Sequence, residues 1–285
     1  MTSPAPLPAE LRARVLDASR RARAAGQPVP AIPAISPVEA HRRAADALYG
    51  TLRALDAAGW RRPAIRDLDV QGLVGHLTGV EDDMQRALAG DPAVGEASHV
   101  ASTQAAADRQ AGRDPAQTLG EWRQAVDRTL AQVADARDLD TIVPLHGMRL
   151  PLRGLLVARA FELWTHENDI RVTSGLSLAV PDAATLHLMA ALAASLLPYA
   201  AHRSGMRQPA RVRLVLTGPG GGTWDVGIAD VDRPDPRQVS IVTDVVGFCR
   251  LVADRAAQAE LELHVTGDHD QAARVLTAAA TLALD

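Results

Sequence analysis

The chain of 285 residues contains no lysine and a single cysteine, Cys249. All 30 basic residues are therefore arginine, which indicates a GC-rich coding bias and carries no functional information. One cysteine excludes an intrachain disulfide and a metal site built from several thiolates, and it favours a reducing compartment. We expect Cys249 to pack in a core rather than to act as a nucleophile. Without lysine, the glycine-rich stretch at 218–222 is a poor phosphate-binding loop, and a hairpin turn is expected there.

Long apolar runs and a strong net charge are also missing. The formal net charge of -4 gives no electrostatic basis for binding nucleic acid or an anionic membrane. No uninterrupted apolar run approaches the roughly 18 residues of a membrane span. The proline-rich and then arginine-rich start has no apolar signal core. We therefore expect a cytoplasmic protein with neither nucleic-acid nor membrane partners.

The composition and its changes along the chain predict an α+β protein. A chain of 285 residues is long enough for a sizeable core and for two domains, and its 47% of hydrophobic residues is typical of a globular protein. Residues 1–36 are predicted to form an N-terminal extension with a basic helix. Residues 37–205 have helical patterns and predict a bundle, in which the polar stretch 91–113 is expected to be a long loop. Residues 206–285 alternate strand and helix patterns and predict a small α+β domain.

The predicted bundle has five helices, each of which opens with a capping residue or a proline. These openings are Ser36, Asp69, Asp114, Pro151 and Pro181. Between the third and fourth helices, TIVPLHGMRL has strand-like residues on both sides of a His-Gly pair, which predicts a short hairpin. The histidine of this pair is expected to make a loop hydrogen bond.

The fourth helix carries a polar pair inside an apolar pattern. Glu162 and His166 are four residues apart, so their side chains lie one turn apart on one face, and Asp169 follows on the same face. The rest of this helix is apolar around most of its circumference, which is typical of a central position in a bundle. A buried carboxylate needs a partner, and a divalent cation is one. Spacing alone leaves open a mutually hydrogen-bonded or solvated pair.

A third ligand would have to come from another helix. His76 lies on the second predicted helix, beside its apolar stripe and therefore near the bundle interior. Facing helices commonly supply such sites, and two histidines with one glutamate are a catalytic zinc set with an open position. A structural histidine is the alternative at this position.

Two segments carry a resemblance to a known family. DLDVQGLVGHLTGVE, residues 67–81, and RAFELWTHENDIRVTSG, residues 159–175, resemble the mycothiol-dependent maleylpyruvate isomerase family. The resemblance implies a DinB-like metal-binding four-helix bundle with His76, Glu162 and His166 as ligands and with an acidic residue, here Asp169, three residues after His166. Asp169 is expected either to orient His166 or to make a hydrogen bond in the last turn of the helix. The C-terminal stretch DVVGFCRLVADRAAQAELELHVTGDHDQAARVL resembles the sterol-carrier-protein-like domain that accompanies this bundle.

The resemblance also implies chemistry and partners. It implies a divalent metal, zinc by its donor set, and mycothiol as co-substrate of a thiol-dependent isomerase or S-transferase acting on a small electrophilic molecule. The small C-terminal domain is expected to close the cleft and to supply polar or arginine contacts to an anionic substrate. A homodimer is also considered. The alternative is a non-catalytic metal-binding or regulatory protein that keeps the bundle as a scaffold.

Overall fold

The structure is a computed structural model that describes residues 31–134, 136, 138–229 and 237–283. Pro33–Asp285 form one compact unit. The basic helix predicted near the N-terminus lies outside the described residues.

Six helices form the helical part of the described chain. They are α1 (Pro37–Arg53), α2 (Val70–Leu88), α3 (His99–Asp108), α4 (Pro115–Ala134), α5 (Leu152–Thr173) and α6 (Ala183–Arg203). The predicted caps are in place, since the side chain of Ser36 accepts a hydrogen bond from the Glu39 amide and that of Asp69 accepts one from the Gly72 amide. All five predicted helices are present, but α1 ends at Arg53 and not at the predicted Trp60.

The long loop expected at residues 91–113 is wrong, because this stretch contains α3. The helix has no wide apolar stripe and is held instead by close packing of small side chains on α2. A Cβ placed on Gly75 would lie 2.8 Å from the carbonyl oxygen of Ala106, and one on Gly79 would lie 3.2 Å from the Cα of Thr103. Glycine at both positions lets the two backbones approach, so α3 is stabilised by a contact that its own periodicity does not predict.

The chain between the helices also forms two small hairpins. The pair β1 (Pro63–Ile65) and β2 (Leu68–Asp69) leads into α2 and was not expected. The pair β3 (Ile142–Leu145) and β4 (Met148–Pro151) leads into α5 and confirms the predicted hairpin. Its turn residues His146 and Gly147 have φ angles of 50° and 76°, so the tight turn places a histidine in the left-handed region.

A four-stranded sheet follows the helices. Its strands are β5 (Ala210–Thr217), β6 (Gly222–Ile228), β7 (Arg237–Asp244) and β8 (His264–Gly267), in the order β6-β5-β7-β8. The antiparallel β5–β6 pair is joined at 218–222, which confirms the expected hairpin turn. β5 and β7 are parallel, while β8 is antiparallel to β7. Helices α7 (Val245–Val252) and α8 (His269–Ala280) cover this sheet, and Cys249 is buried in the core, as expected.

Helix α6 connects the two parts, because it packs on α5 as well as on β6, α7 and α8. One buried hydrophobic cluster extends from the bundle into the sheet. The α+β fold class is confirmed, whereas a domain boundary near residue 205 stays a prediction.

Within the described residues, α6 is also the one helix that is long and apolar enough to cross a membrane, with a mean hydropathy of 1.4. Half of that stretch is buried in the fold, as in a core helix. The absence of a membrane partner stays a prediction.

Candidate metal centre

The structure brings together the three side chains that the sequence singles out. His76 comes from α2, and Glu162 and His166 come from adjacent turns of α5. One nitrogen or oxygen atom of each side chain lies within 4.8 Å of the corresponding atoms of the other two. Both histidines are buried, and Glu162 is 16% exposed, so the cluster lies inside the fold with limited access to solvent.

The tautomer of His76 is set by a neighbouring hydroxyl. Its Nδ1 lies 2.7 Å from the Oγ1 of Thr103, and the Thr103 hydroxyl donates its proton to the carbonyl oxygen of His99. A hydroxyl has one proton, so Thr103 accepts from the Nδ1–H of His76. The Nε2 of His76 then has a free lone pair, which faces Glu162 at 3.5 Å.

A carboxylate holds His166 in the same way. Its Nδ1 lies 2.9 Å from Asp169 Oδ2, one turn further along α5. Arg255 donates to both oxygens of Asp169, at 2.7 and 3.0 Å, so the segment after α7 supports this contact from the sheet side. Burial by itself raises the pKa of Asp169, but His166 and Arg255 hold it below its usual range. The carboxylate is therefore ionised and accepts the Nδ1–H, which turns the Nε2 lone pair of His166 away from Asp169.

A buried arginine fixes the third member of the cluster. Arg159, one turn before Glu162 on α5, is 2% exposed and forms ion pairs with Glu162 and with Glu81 of α2. Glu81 is fully buried and also contacts His41 of α1 at 3.2 Å. Sequence analysis missed this network, and Glu81 and Arg159 lie inside the two quoted segments without any spacing that marks them.

The charges of the cluster suit a cation. Burial by itself raises the pKa of Glu162, but the Arg159 guanidinium and the neighbouring His99 hold it well below its usual range. Burial lowers the pKa of His76 to about 4, so this ring is neutral at neutral pH. Deprotonated carboxylate and neutral imidazole are the forms that bind metals. The centre thus presents one anionic oxygen and two imidazole nitrogens.

A second histidine pair borders the cluster and was not predicted as part of it. His99, near the start of α3, has its Nε2 3.4 Å from Glu162 Oε1 and its Nδ1 3.0 Å from the Nδ1 of His146. The other ring nitrogen of His146 lies 3.0 Å from Asp83 Oδ2. The expected loop hydrogen bond of His146 is thus a buried contact that joins the β3–β4 turn to α2 and α3. His99 lies in the stretch expected to be a loop, so no periodicity placed it in the bundle interior.

A cavity of about 120 Å³ opens beside the cluster. Its polar end is formed by His99, His146, Arg159, Glu162, Thr165 and His166. The remaining walls are apolar and come from α2, the β3–β4 hairpin, α5, α6, the end of α7 and the segment after α8. The described C-terminal residues at this cavity are Val252, Ala253, Leu282 and Ala283. They supply no arginine contact of the kind expected for an anionic substrate.

The donor set fits a divalent cation. His76 Nε2 and Glu162 Oε1 are buried and make no hydrogen bond within the described residues, although they face each other. Buried polar atoms of this kind are rare in native folds and need an explanation, and binding of an ion is a standard one. Two imidazoles and one carboxylate match the ligand set of catalytic zinc sites, which keep a position open. The fold and this cluster define a helical-bundle protein in which two histidines and one glutamate, a set of ligands typical of metal sites, lie next to an apolar cavity.

Comparison with known proteins supports the resemblance that the sequence carries. Residues 41–171 match the model of the mycothiol maleylpyruvate isomerase N-terminal domain, which confirms this resemblance. The matched range contains His76, Glu162, His166 and Asp169.

Two solved structures share the fold. The crystal structure of the mycothiol-dependent maleylpyruvate isomerase is 14% identical, covers 81% of this chain and 91% of that chain, and has a TM-score of 0.55. The crystal structure of a histidine-to-alanine mutant of that isomerase is 13% identical, covers 80% and 91%, and has a TM-score of 0.54. At this identity the likeness establishes the fold alone. No curated protein matches the chain.

Proposed function

We propose that this protein is a metal-dependent enzyme that uses a low-molecular-weight thiol to isomerise or conjugate a small electrophilic substrate. The observation that carries the proposal is the cluster of His76, Glu162 and His166, whose ligand atoms lie within 4.8 Å of one another beside a cavity. The match to the mycothiol maleylpyruvate isomerase N-terminal domain supports mycothiol as the thiol.

His76, Glu162 and His166 would hold the cation, and zinc is the metal that this donor set favours. A divalent cation at this position would supply Lewis acidity, which lowers the pKa of a bound thiol as it does that of bound water. Thr103 and Asp169 keep the two imidazoles in the tautomers that present Nε2. These hydrogen bonds reduce the freedom of the rings and raise their basicity.

Arg159 has a separate part in this proposal. Its guanidinium keeps Glu162 ionised inside the fold, so the carboxylate does not take up a proton that would compete with a cation. The same guanidinium neutralises Glu81, which would otherwise repel Glu162 from across the α2–α5 contact. The apolar walls of the cavity exclude water from a thiolate held there, which strengthens electrostatic contacts within the site.

The thiol reaction follows from ordinary electrophile chemistry. The sulfur adds to an electrophilic carbon and forms a carbon–sulfur bond. In an isomerisation, the added thiol turns a double bond into a single bond, rotation follows, and elimination of the thiol restores the double bond. In a transfer, the carbon–sulfur bond stays in the product. Maleylpyruvate, the substrate named for the similar structures, is the test substrate for the first route.

The metal site is tested by measuring metal bound to protein purified without added metal. We expect close to one equivalent in wild type and in His202→Ala, a control that removes an exposed histidine of α6. His76→Ala, Glu162→Ala and His166→Ala should each lose most of the metal. Equal metal content in all five proteins would show that the site is assigned wrongly.

The chemistry is tested by following thiol consumption with mycothiol and a panel of electrophiles, before and after treatment with a chelator. We expect turnover that the chelator abolishes and that re-added zinc restores. Full metal occupancy without turnover of any electrophile would favour the non-catalytic alternative. The cytoplasmic location, a homodimer and the absence of nucleic-acid partners stay predictions.

A further inference from the structure

The lining of the cavity beside the cluster has two parts of different character. The histidines, Glu162 and Arg159 contribute the polar part, and aliphatic and aromatic side chains contribute the rest, which is called the apolar end. The main apolar contributors are Leu145, Met148, Phe161, Leu192, Leu196 and Val252. They come from five separate helices and strands, so the apolar end is formed by the tertiary packing of the whole fold.

The described lining of the cavity offers no arginine available to an anionic ligand at its apolar end. Among its described lining residues, Arg159 is the single arginine, and it is buried between the carboxylates of Glu81 and Glu162. The nearby Arg255 is engaged by both oxygens of Asp169 behind His166. A carboxylate group at the apolar end would lose its hydration without gaining a hydrogen bond or an ion pair there, which is costly.

The size of the cavity matches a small apolar group. Its volume of about 120 Å³ is close to that of the roughly 150 Å³ apolar cavities that take up benzene. We propose, on the basis of the proposed thiol chemistry, that the electrophile taken by this protein is uncharged and apolar, with a ring-sized or branched alkyl group in the cavity, and is not a dicarboxylate. The electrophilic carbon lies at the cluster end.

A halogenated aromatic electrophile illustrates the reaction of this class. The thiol loses its S–H proton to solvent, and the thiolate sulfur forms a bond to the ring carbon that carries chlorine. The carbon–chlorine bond then breaks, and chloride leaves with the electron pair. No oxidant or reductant is needed, and the products are a thioether, chloride and a proton.

Binding of an apolar ligand can be measured without any turnover. Phenylnaphthylamine, an uncharged fluorescent probe, is titrated into the full-length protein with and without zinc. Leu196 faces the cavity from α6 and is partly buried, so Leu196→Arg places a charge against the apolar end. Ser195→Arg is the matched control, because it adds the same charge to an exposed position of the same helix outside the cavity lining.

We expect wild type and Ser195→Arg to bind the probe alike and Leu196→Arg to bind it at least about tenfold more weakly. Absence of probe binding, or equal binding by all three proteins, would overturn the inference. Circular dichroism and a thermal melt verify that Leu196→Arg is folded. Should it not be folded, Leu192→Asn takes its place at the same cavity wall and carries the same expectation.

Turnover separates this inference from the proposed function. With mycothiol and zinc, wild type should conjugate chlorodinitrobenzene at least about tenfold more efficiently than it acts on maleate, a dicarboxylate electrophile. A preference for maleate would overturn the inference and leave the thiol chemistry intact. Failure with both electrophiles, in a protein that binds the probe as expected, would overturn the thiol chemistry and uphold the apolar preference of the cavity.

Discussion

Replacing Arg159 by methionine should destabilise the metal-free protein strongly. The guanidinium is 2% exposed and lies between Glu81, which is fully buried, and Glu162, which is 16% exposed. Methionine fills much of the same volume but leaves two carboxylates without their shared cation. Removing one partner of a buried ion pair costs about 3–5 kcal/mol, which is a large fraction of the typical stability of a domain.

A surface arginine provides the matched control for this substitution. Arg128 pairs with Asp82 at 3.3 Å, but its side chain is 55% exposed. Solvent screens such a pair, so Arg128→Met should cost less than about 1 kcal/mol. Urea unfolding at pH 7, followed by circular dichroism on chelator-treated protein, measures both free energies of unfolding.

A second substitution tests the cause of the destabilisation. In wild type, Glu81→Gln should be destabilising, because the buried Arg159 would keep only one carboxylate partner. In Arg159→Met, the same substitution should restore part of the lost stability, because it removes a buried carboxylate that has lost its arginine. The expected coupling between the two positions is about 1–3 kcal/mol. If Arg159→Met unfolds within about 1 kcal/mol of wild type, Glu81 and Glu162 are not both ionised in the fold, and the account of the site's charges is wrong.

Three further predictions address the site and its supports. Asp169→Ala removes the acceptor of the His166 Nδ1–H and should weaken zinc binding about 10–100-fold in competition with a chelating indicator, whereas a change under about twofold would contradict the assigned role. Gly75→Ala places a Cβ 2.8 Å from a backbone oxygen of α3 and should cost about 1–3 kcal/mol in urea unfolding. Gly120→Ala is the control, because a Cβ at this helical position would meet no atom within 4 Å, and it should stabilise the protein by about 0.5–1 kcal/mol. Equal effects of Gly75→Ala and Gly120→Ala on the free energy of unfolding would refute the close packing of α2 and α3. Burial lowers the pKa of His76 from 6.5 to about 4, so the metal-free protein should lose about 3 kcal/mol of stability as pH falls from 6.5 to 4. In His76→Gln, the free energy of unfolding should change less with pH across this window, and an unchanged pH dependence would exclude His76 as the cause.

The sequence predicts the helices that have their own signals. α1 and α2 start at side-chain caps, and α5 has an apolar pattern interrupted by Glu162 and His166. These features depend only on residues that are close in the sequence, so they can be recognised without knowledge of the contacts between distant segments. The pairing of His76 with α5 also follows from its position beside an apolar stripe and from the family motifs.

What the sequence does not predict depends on contacts between distant segments. α3 is held against Gly75 and Gly79 by small side chains, and a helix of this kind has no stripe to detect. His99 therefore appeared to lie in a loop, although it borders Glu162. Arg159 has the pattern of an ordinary helix residue, and its role arises because Glu81 faces it from α2. The apolar end of the cavity joins five elements and is likewise invisible in any one stretch of sequence.

The central claim is that His76, Glu162 and His166 bind one divalent cation. Crystals grown with zinc and measured at the zinc absorption edge test it directly. The account predicts one anomalous peak about 2.0–2.2 Å from His76 Nε2, from His166 Nε2 and from an oxygen of Glu162, and no such peak in Glu162→Ala. A wild-type crystal with zinc bound elsewhere and none at the cluster, or an undiminished peak in Glu162→Ala, would contradict it.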